Sequence, residues 1–91
     1  MNITWDETKR QQNIRDHQLD FADAKYVFAG PTITVEDDRF DYDEWRFITM
    51  GLLHGRVVVL SHTERGNDIR MISMREGTKR EEIRFFRNLR S

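Results

Sequence analysis

The 91-residue chain contains no cysteine. That excludes a disulfide scaffold, thiolate zinc sites and thiol catalysis. Glycine is sparse: five residues are scattered among turn positions, so no glycine-rich phosphate loop is present. No apolar run approaches the roughly 20 residues that a membrane-spanning helix needs. The opening MNITWDETKR lacks the character of a secretory signal, so the expectation is a cytoplasmic chain with nothing removed. Histidines at 17, 54 and 62 are too far apart for a zinc motif, and no Gly-x-Ser-x-Gly elbow occurs. The acidic run Glu36–Glu44 lacks the central glycine of an EF-hand loop and reads as a solvated loop. Hydrophobic residues make up only 37%, against 34% charged, but two Trp, two Tyr and six Phe supply bulky core material. One folded domain over residues 1–91 with a single modest core is expected.

The net charge of −1 argues against a simple nucleic-acid binder until it is divided along the chain. Residues 1–53 carry six basic and eleven acidic groups, net −5. Residues 54–91 carry nine basic and five acidic groups, net +4, and eight of those nine cations are arginine. Arginine is the side chain suited to two-point contacts with phosphate. A mixed, solvated surface is the plainer account of any single arginine.

Periodicity gives short elements. Ile3–Trp5 is a brief strand. Thr8 to about Gln18 is a polar helix, with Thr8 and Gln11 as a capping box and Ile14 as its clear core residue. Asp20 to Phe28 is a second helix on Phe21, Ala24, Val27 and Phe28, ended by Gly30-Pro31. Four strands follow: Thr32–Glu36, Trp45–Leu53, Arg56–His62 and Ile69–Met74. The hairpin turns are His54-Gly55 and Gly66-Asn67. Val57-Val58-Val59-Leu60 is apolar on both parities, as in a central strand covered on both faces. Thr78 and Glu81 form a capping box for a last helix over about Lys79–Leu89, carrying Ile83, Phe86 and Leu89 with Phe85 beside them. Trp5, Phe21, Phe28, Phe47, Phe85 and Phe86 are the expected aromatic core. The order is β-α-α-β-β-β-β-α, an α+β domain with an antiparallel sheet of four to five strands and helices packed on it.

What chemistry remains is a set of cations with histidines. Cleaving RNA without a metal needs a base for the 2′-hydroxyl, an acid for the leaving 5′-oxygen and fixed positive charge at phosphorus. Histidine serves as acid or base near neutral pH, and arginine serves as the cation.

The run Trp5-Asp6-Glu7-x-Lys9, with Asn13, His17, Phe21 and Ala24 at fixed spacing, resembles the opening signature of the BrnT toxins of type II toxin–antitoxin modules. Later segments fit the same family. They are Arg46-Phe47 before Gly51, Val57–Leu60 leading to Thr63, Ile69-Arg70-x-Ile72-Ser73-x-Arg75, and Lys79-Arg80-Glu81 followed by Phe85. The resemblance covers nearly the whole chain. It implies a RelE-like fold and an RNA-cleaving activity, with no cofactor, that stops translation and growth. It also implies neutralisation by a BrnA antitoxin with a ribbon-helix-helix part, through which the pair reaches operator DNA. Three positions depart from the family pattern: Asp16 replaces a lysine, Gln18 a glycine and His62 a tyrosine.

The expected catalytic set is therefore His17 as acid or base, with Lys9, Arg46, Arg70 and Arg75 supplying positive charge. Lys9 and His17 lie eight residues apart, near one helix face. Arg70 and Arg75 have opposite parity in a regular strand and meet one phosphate only if the chain bends. Arg70 is the phosphate clamp, and Arg75 is either a clamp or an anchor for the last helix. Arg80, Arg84 and His62 are expected on the RNA surface, and Arg65 is expected to be merely solvated. The rival account is a non-catalytic binding module, favoured by the anion Asp16 beside His17.

Overall fold

The computed structural model describes residues 1–38 and 44–90. Asp41 and Asp43 of the acidic run lie outside the described residues. The elements are β1 (Ile3–Thr4), α1 (Glu7–His17), a 3₁₀ turn (Phe21–Asp23), α2 (Ala24–Ala29), β2 (Thr32–Glu36), β3 (Arg46–Leu53), β4 (Arg56–Arg65), β5 (Asp68–Glu76) and α3 (Lys79–Leu89). They form a five-stranded sheet in the order β1-β5-β4-β3-β2. All neighbours are antiparallel except β1, which runs parallel to β5. No described helix is long and apolar enough to cross a membrane.

The element order matches the sequence-based expectation, and several local details differ. The α1 cap is Asp6, whose carboxylate accepts from the Lys9 N–H, so Thr8 and Gln11 form no capping box. The expected second helix divides into the 3₁₀ turn and α2, because the Asp20 carboxylate accepts the Ala22 N–H and tightens the entry. Arg10 then clamps Asp20 through Nε and Nη2 at 2.7 and 2.9 Å, and this pairing holds the Asp20 carboxyl below its ordinary range. The β4 and β5 strands run longer than expected, as far as the tight turn at Gly66 (φ 59°). His54 and Gly55 both adopt positive φ, 51° and 80°, the geometry of a type I′ hairpin turn.

Strand register assigns the two faces of the sheet. Thr49, Gly51 and Leu53 of β3 share a face with Val58, Leu60 and His62 of β4 and with Met74, Met71 and Ile69 of β5. Phe21, Ala24 and Val27 seal this face, with Ile3, Trp5, Leu19 and Phe28 around them. Gly51 is required here, since a Cβ at that position would lie 2.5 Å from Val27 Cγ1. The second face carries Val57 and Val59, which are buried together with Phe85 of α3, the helix lying against β4. Val57, Val58, Val59 and Leu60 are all buried, so β4 is the doubly covered central strand that its composition predicts.

The polar helix α1 is held by a buried asparagine, and Ile14, the expected core residue, is only half-buried. Asn13 Nδ2 donates to the Leu19 and Met74 carbonyls at 2.9 Å each, and its Oδ1 accepts the Met74 N–H at 3.0 Å. The amide thus occupies the outer edge of β5 beyond the two residues that β1 covers. A second correction concerns α3. Phe85 is fully buried, whereas Ile83, Phe86 and Leu89 are 48%, 42% and 40% exposed, so Phe86 is not a core residue.

Candidate functional site

On the α3 face of the sheet, one row of side chains crosses four strands. Arg46 of β3 stands opposite Thr63 of β4, Thr63 opposite Arg70 of β5, and Arg70 opposite Thr4 of β1. Residues opposite one another point to the same side, and strands lie about 4.8 Å apart, so the Cα atoms of Arg46 and Arg70 are about 10 Å apart. Guanidinium groups on long side chains can converge across that gap on one phosphodiester. A hollow of about 410 Å³ opens at the Arg70 end of this row, lined by Thr4, Glu44, Thr63, Arg65, Asp68, Ile69 and Arg70. Arg65 Nη2 lies 3.7 Å from Glu44 Oε2 at its rim.

The β5 strand reaches this arrangement through an irregularity. The register of β4 against β5 shifts between Ser61 and His62, leaving Ile72 as the extra residue of a β-bulge. The bulge resets the alternation. Ile69, Met71 and Met74 all enter the same core, and Arg70 and Arg75 therefore share the opposite face. The bend that the two arginines need is present, but they use it differently. Arg75 makes a two-point ion pair with Glu81 of α3, at 2.8 and 2.9 Å. This pairing, with the Thr78 N–H, lowers the Glu81 carboxyl to about 2. Arg75 is the anchor of α3, while Arg70 opens on the hollow.

The remaining expected residues lie elsewhere. Lys9 and His17 are exposed on α1, on the stripe whose middle member is Asn13, beside the outer edge of β5. Neither lines the Arg70 hollow. Asp16 is exposed beside His17. Arg80 and Arg84 are exposed on α3. His62, expected on the RNA surface, is fully buried and out of reach of RNA. Its ring stacks on Phe47 and meets Phe28 edge-on, and its Nε2 lies 2.7 Å from Thr49 Oγ1, which in turn lies 2.7 Å from Thr34 Oγ1. Burial pushes the His62 imidazole below its ordinary value, against the opposing pull of Glu64.

Sequence reasoning missed Arg65, Thr63, Thr4, Glu44 and Asp68 as members of one hollow. Arg65 and Asp68 stand opposite each other at the β4–β5 turn, so the Gly66-Asn67 turn was the available signal. Chemically, the hollow offers guanidinium groups and threonine hydroxyls for a phosphate. It also offers two carboxylates able to accept a proton. Among the described residues, no group of three or more His, Asp or Glu side chains converges as a cation site.

The family model described as "Ribonuclease toxin, BrnT, of type II toxin-antitoxin system" matches residues 5–81. No curated protein matches the chain.

Proposed function

Because the chain belongs to the BrnT family of ribonuclease toxins of type II toxin–antitoxin systems, we propose that it is a metal-independent endoribonuclease whose phosphate site is the Arg70 hollow. The observation that carries this reading is the Arg46–Thr63–Arg70–Thr4 row ending in a hollow with Arg65 at its rim. The 2′-oxygen attacks the adjacent phosphorus, the P–O5′ bond breaks, and a 2′,3′-cyclic phosphate and a 5′-hydroxyl result. Arg70, with Arg46, balances the charge that builds on the phosphoryl oxygens, and Arg65 at the rim takes the neighbouring phosphate. The attacking hydroxyl gives its proton to a base, and the leaving oxygen takes one from an acid. Glu44 or Asp68, which line the hollow itself, is the proposed base. His17, with Lys9 on the same helix stripe, lies on α1 outside the hollow and serves as acid or base only where the RNA strand spans from the hollow to α1. The proposed setting is the cytoplasm. The proposed partner is a BrnA-like ribbon-helix-helix antitoxin, which alone contacts operator DNA.

The test is cleavage of total RNA by pure, antitoxin-free protein in excess EDTA. Fragments ending in a cyclic phosphate are expected. Intact RNA would sink the reading and leave the non-catalytic binding module that Asp16 favours. Within that assay, Glu44→Gln and Asp68→Asn separate the two carboxylates, and loss of the one that acts as base is expected to slow cleavage by about 10²-fold. The same loss in His17→Ala would show that the RNA spans to α1.

A further inference from the structure

We propose that the exposed apolar side chains of α3, Ile83, Phe86 and Leu89, with the arginines beside them, form the docking surface for an acidic amphipathic segment of the antitoxin. The proposal rests on the chain being the toxin of a type II module. The helix is fastened by one side only. Phe85 is fully buried, and Glu81, one turn earlier, holds Arg75. That orientation leaves Ile83 and Phe86 off the sheet-facing side, and Leu89, one turn beyond Phe85 at the end of the helix, is exposed with them. Single exposed apolar residues are ordinary, but three on successive turns of one 11-residue helix mark an interaction face.

Charge identifies the occupant. Residues 79–90 carry five cations and two carboxylates. Both carboxylates are engaged, Glu81 by Arg75 and Glu82 by Lys79 at 3.7 Å. Arg80 and Arg84 carry no ion pair among the described residues. Together with Lys79, Ile83, Arg87 and Asn88 they line a shallow hollow of about 450 Å³. A surface that alternates an apolar stripe with a basic border fits a segment with the reciprocal pattern. RNA would use the arginines but has no use for Ile83 and Leu89. The α3 hollow also shares no residue with the Arg70 hollow.

The experiment measures affinity for the purified antitoxin of the same module, alongside RNA cleavage and sedimentation of the free chain. Ile83→Glu is expected to weaken antitoxin binding by about tenfold or more, while RNA cleavage stays within about twofold of wild type. Arg84→Glu, a change at an exposed position, is expected to weaken binding in the same direction and guards against a folding defect in the first variant. Unchanged antitoxin affinity in both folded variants overturns the proposal. So does lost cleavage with antitoxin affinity retained, which gives the face to RNA. A free-chain dimer that Ile83→Glu dissociates, with antitoxin affinity retained, gives it to a second copy and also overturns it. A wild-type chain that binds antitoxin through this face but leaves RNA intact upholds the docking surface and refutes the ribonuclease reading.

Discussion

At Met74 the outer edge of β5 has no described strand beside it, and the Asn13 amide takes that place with one donor and one acceptor. Replacing it by alanine strands a buried N–H and a buried C=O. Asn13→Ala is therefore expected to cost about 2–6 kcal/mol, at about 1–3 for each of the two orphaned groups, as read by urea unfolding. Asn13→Asp is expected to cost at least as much, because a carboxylate would face two carbonyls. Asn13 stands in the family signature, but neither composition nor periodicity distinguishes it from its solvated neighbours on a polar helix, since its role depends on where β1 stops. His62 poses the same problem in reverse. A histidine near the end of an apolar strand reads as a titratable surface group, yet Phe28 and Phe47 enclose it. Its folded-state pKa lies below the unfolded value of 6.5. The unfolded chain thus binds the extra proton first, and stability falls as pH drops below about 6.5. His62→Phe is expected to flatten that part of the stability–pH profile. A slope that survives the substitution would assign it to another group.

The three elements on the α3 face differ in how far their sequences reveal them. The β4 strand is legible because Val57–Leu60 is apolar on both parities, and only a doubly covered strand needs that. The start of α3 is legible because Thr78 and Glu81 close a capping box that the structure contains. The direction in which α3 faces is not legible. Ile83, Phe85, Phe86 and Leu89 spread over a wide arc, and the choice among them is made by the Arg75–Glu81 pair, a contact between two elements. The bulge at Ile72 is equally hidden, since no glycine marks it, yet it decides that Arg70 and Arg75 share a face. The pair that orients α3 has a pH signature. Glu81 titrates at about 2 folded against 4.5 as an ordinary carboxyl. Its contribution is fully present above pH 4.5 and disappears as pH falls towards 2. Glu81→Gln is expected to remove about 1–3 kcal/mol near neutrality and to flatten the acid limb of the unfolding profile. An unchanged limb would mean that Phe85 alone fastens the helix.

Across the whole molecule, the near-zero net charge conceals a division that the fold turns into separate surfaces. The acidic N-terminal half supplies α1, α2 and the outer strands, while most arginines of the second half divide between the Arg70 hollow and α3. Long-range attraction of RNA to a chain of net −1 is weak, so binding must depend on a few local contacts. Salt dependence measures how many. On the proposed reading, Arg70 with Arg46 holds the cleaved phosphate and Arg65 its neighbour, and each of these two phosphates contributes a slope of about −0.7 on single-stranded RNA. The logarithm of kcat/KM against the logarithm of salt concentration is then expected to fall with a slope of about −1.4. That is about a sevenfold loss between about 50 and 200 mM salt. Arg70→Ala is expected to lower kcat/KM and to make the slope shallower by about 0.7, because it deletes one phosphate contact. Arg90→Ala, at the far end of α3, is expected to change neither. A wild-type slope steeper than about −3 would require four or more phosphates. The two cations of the hollow cannot supply that number, and RNA would have to extend across the arginines of α3.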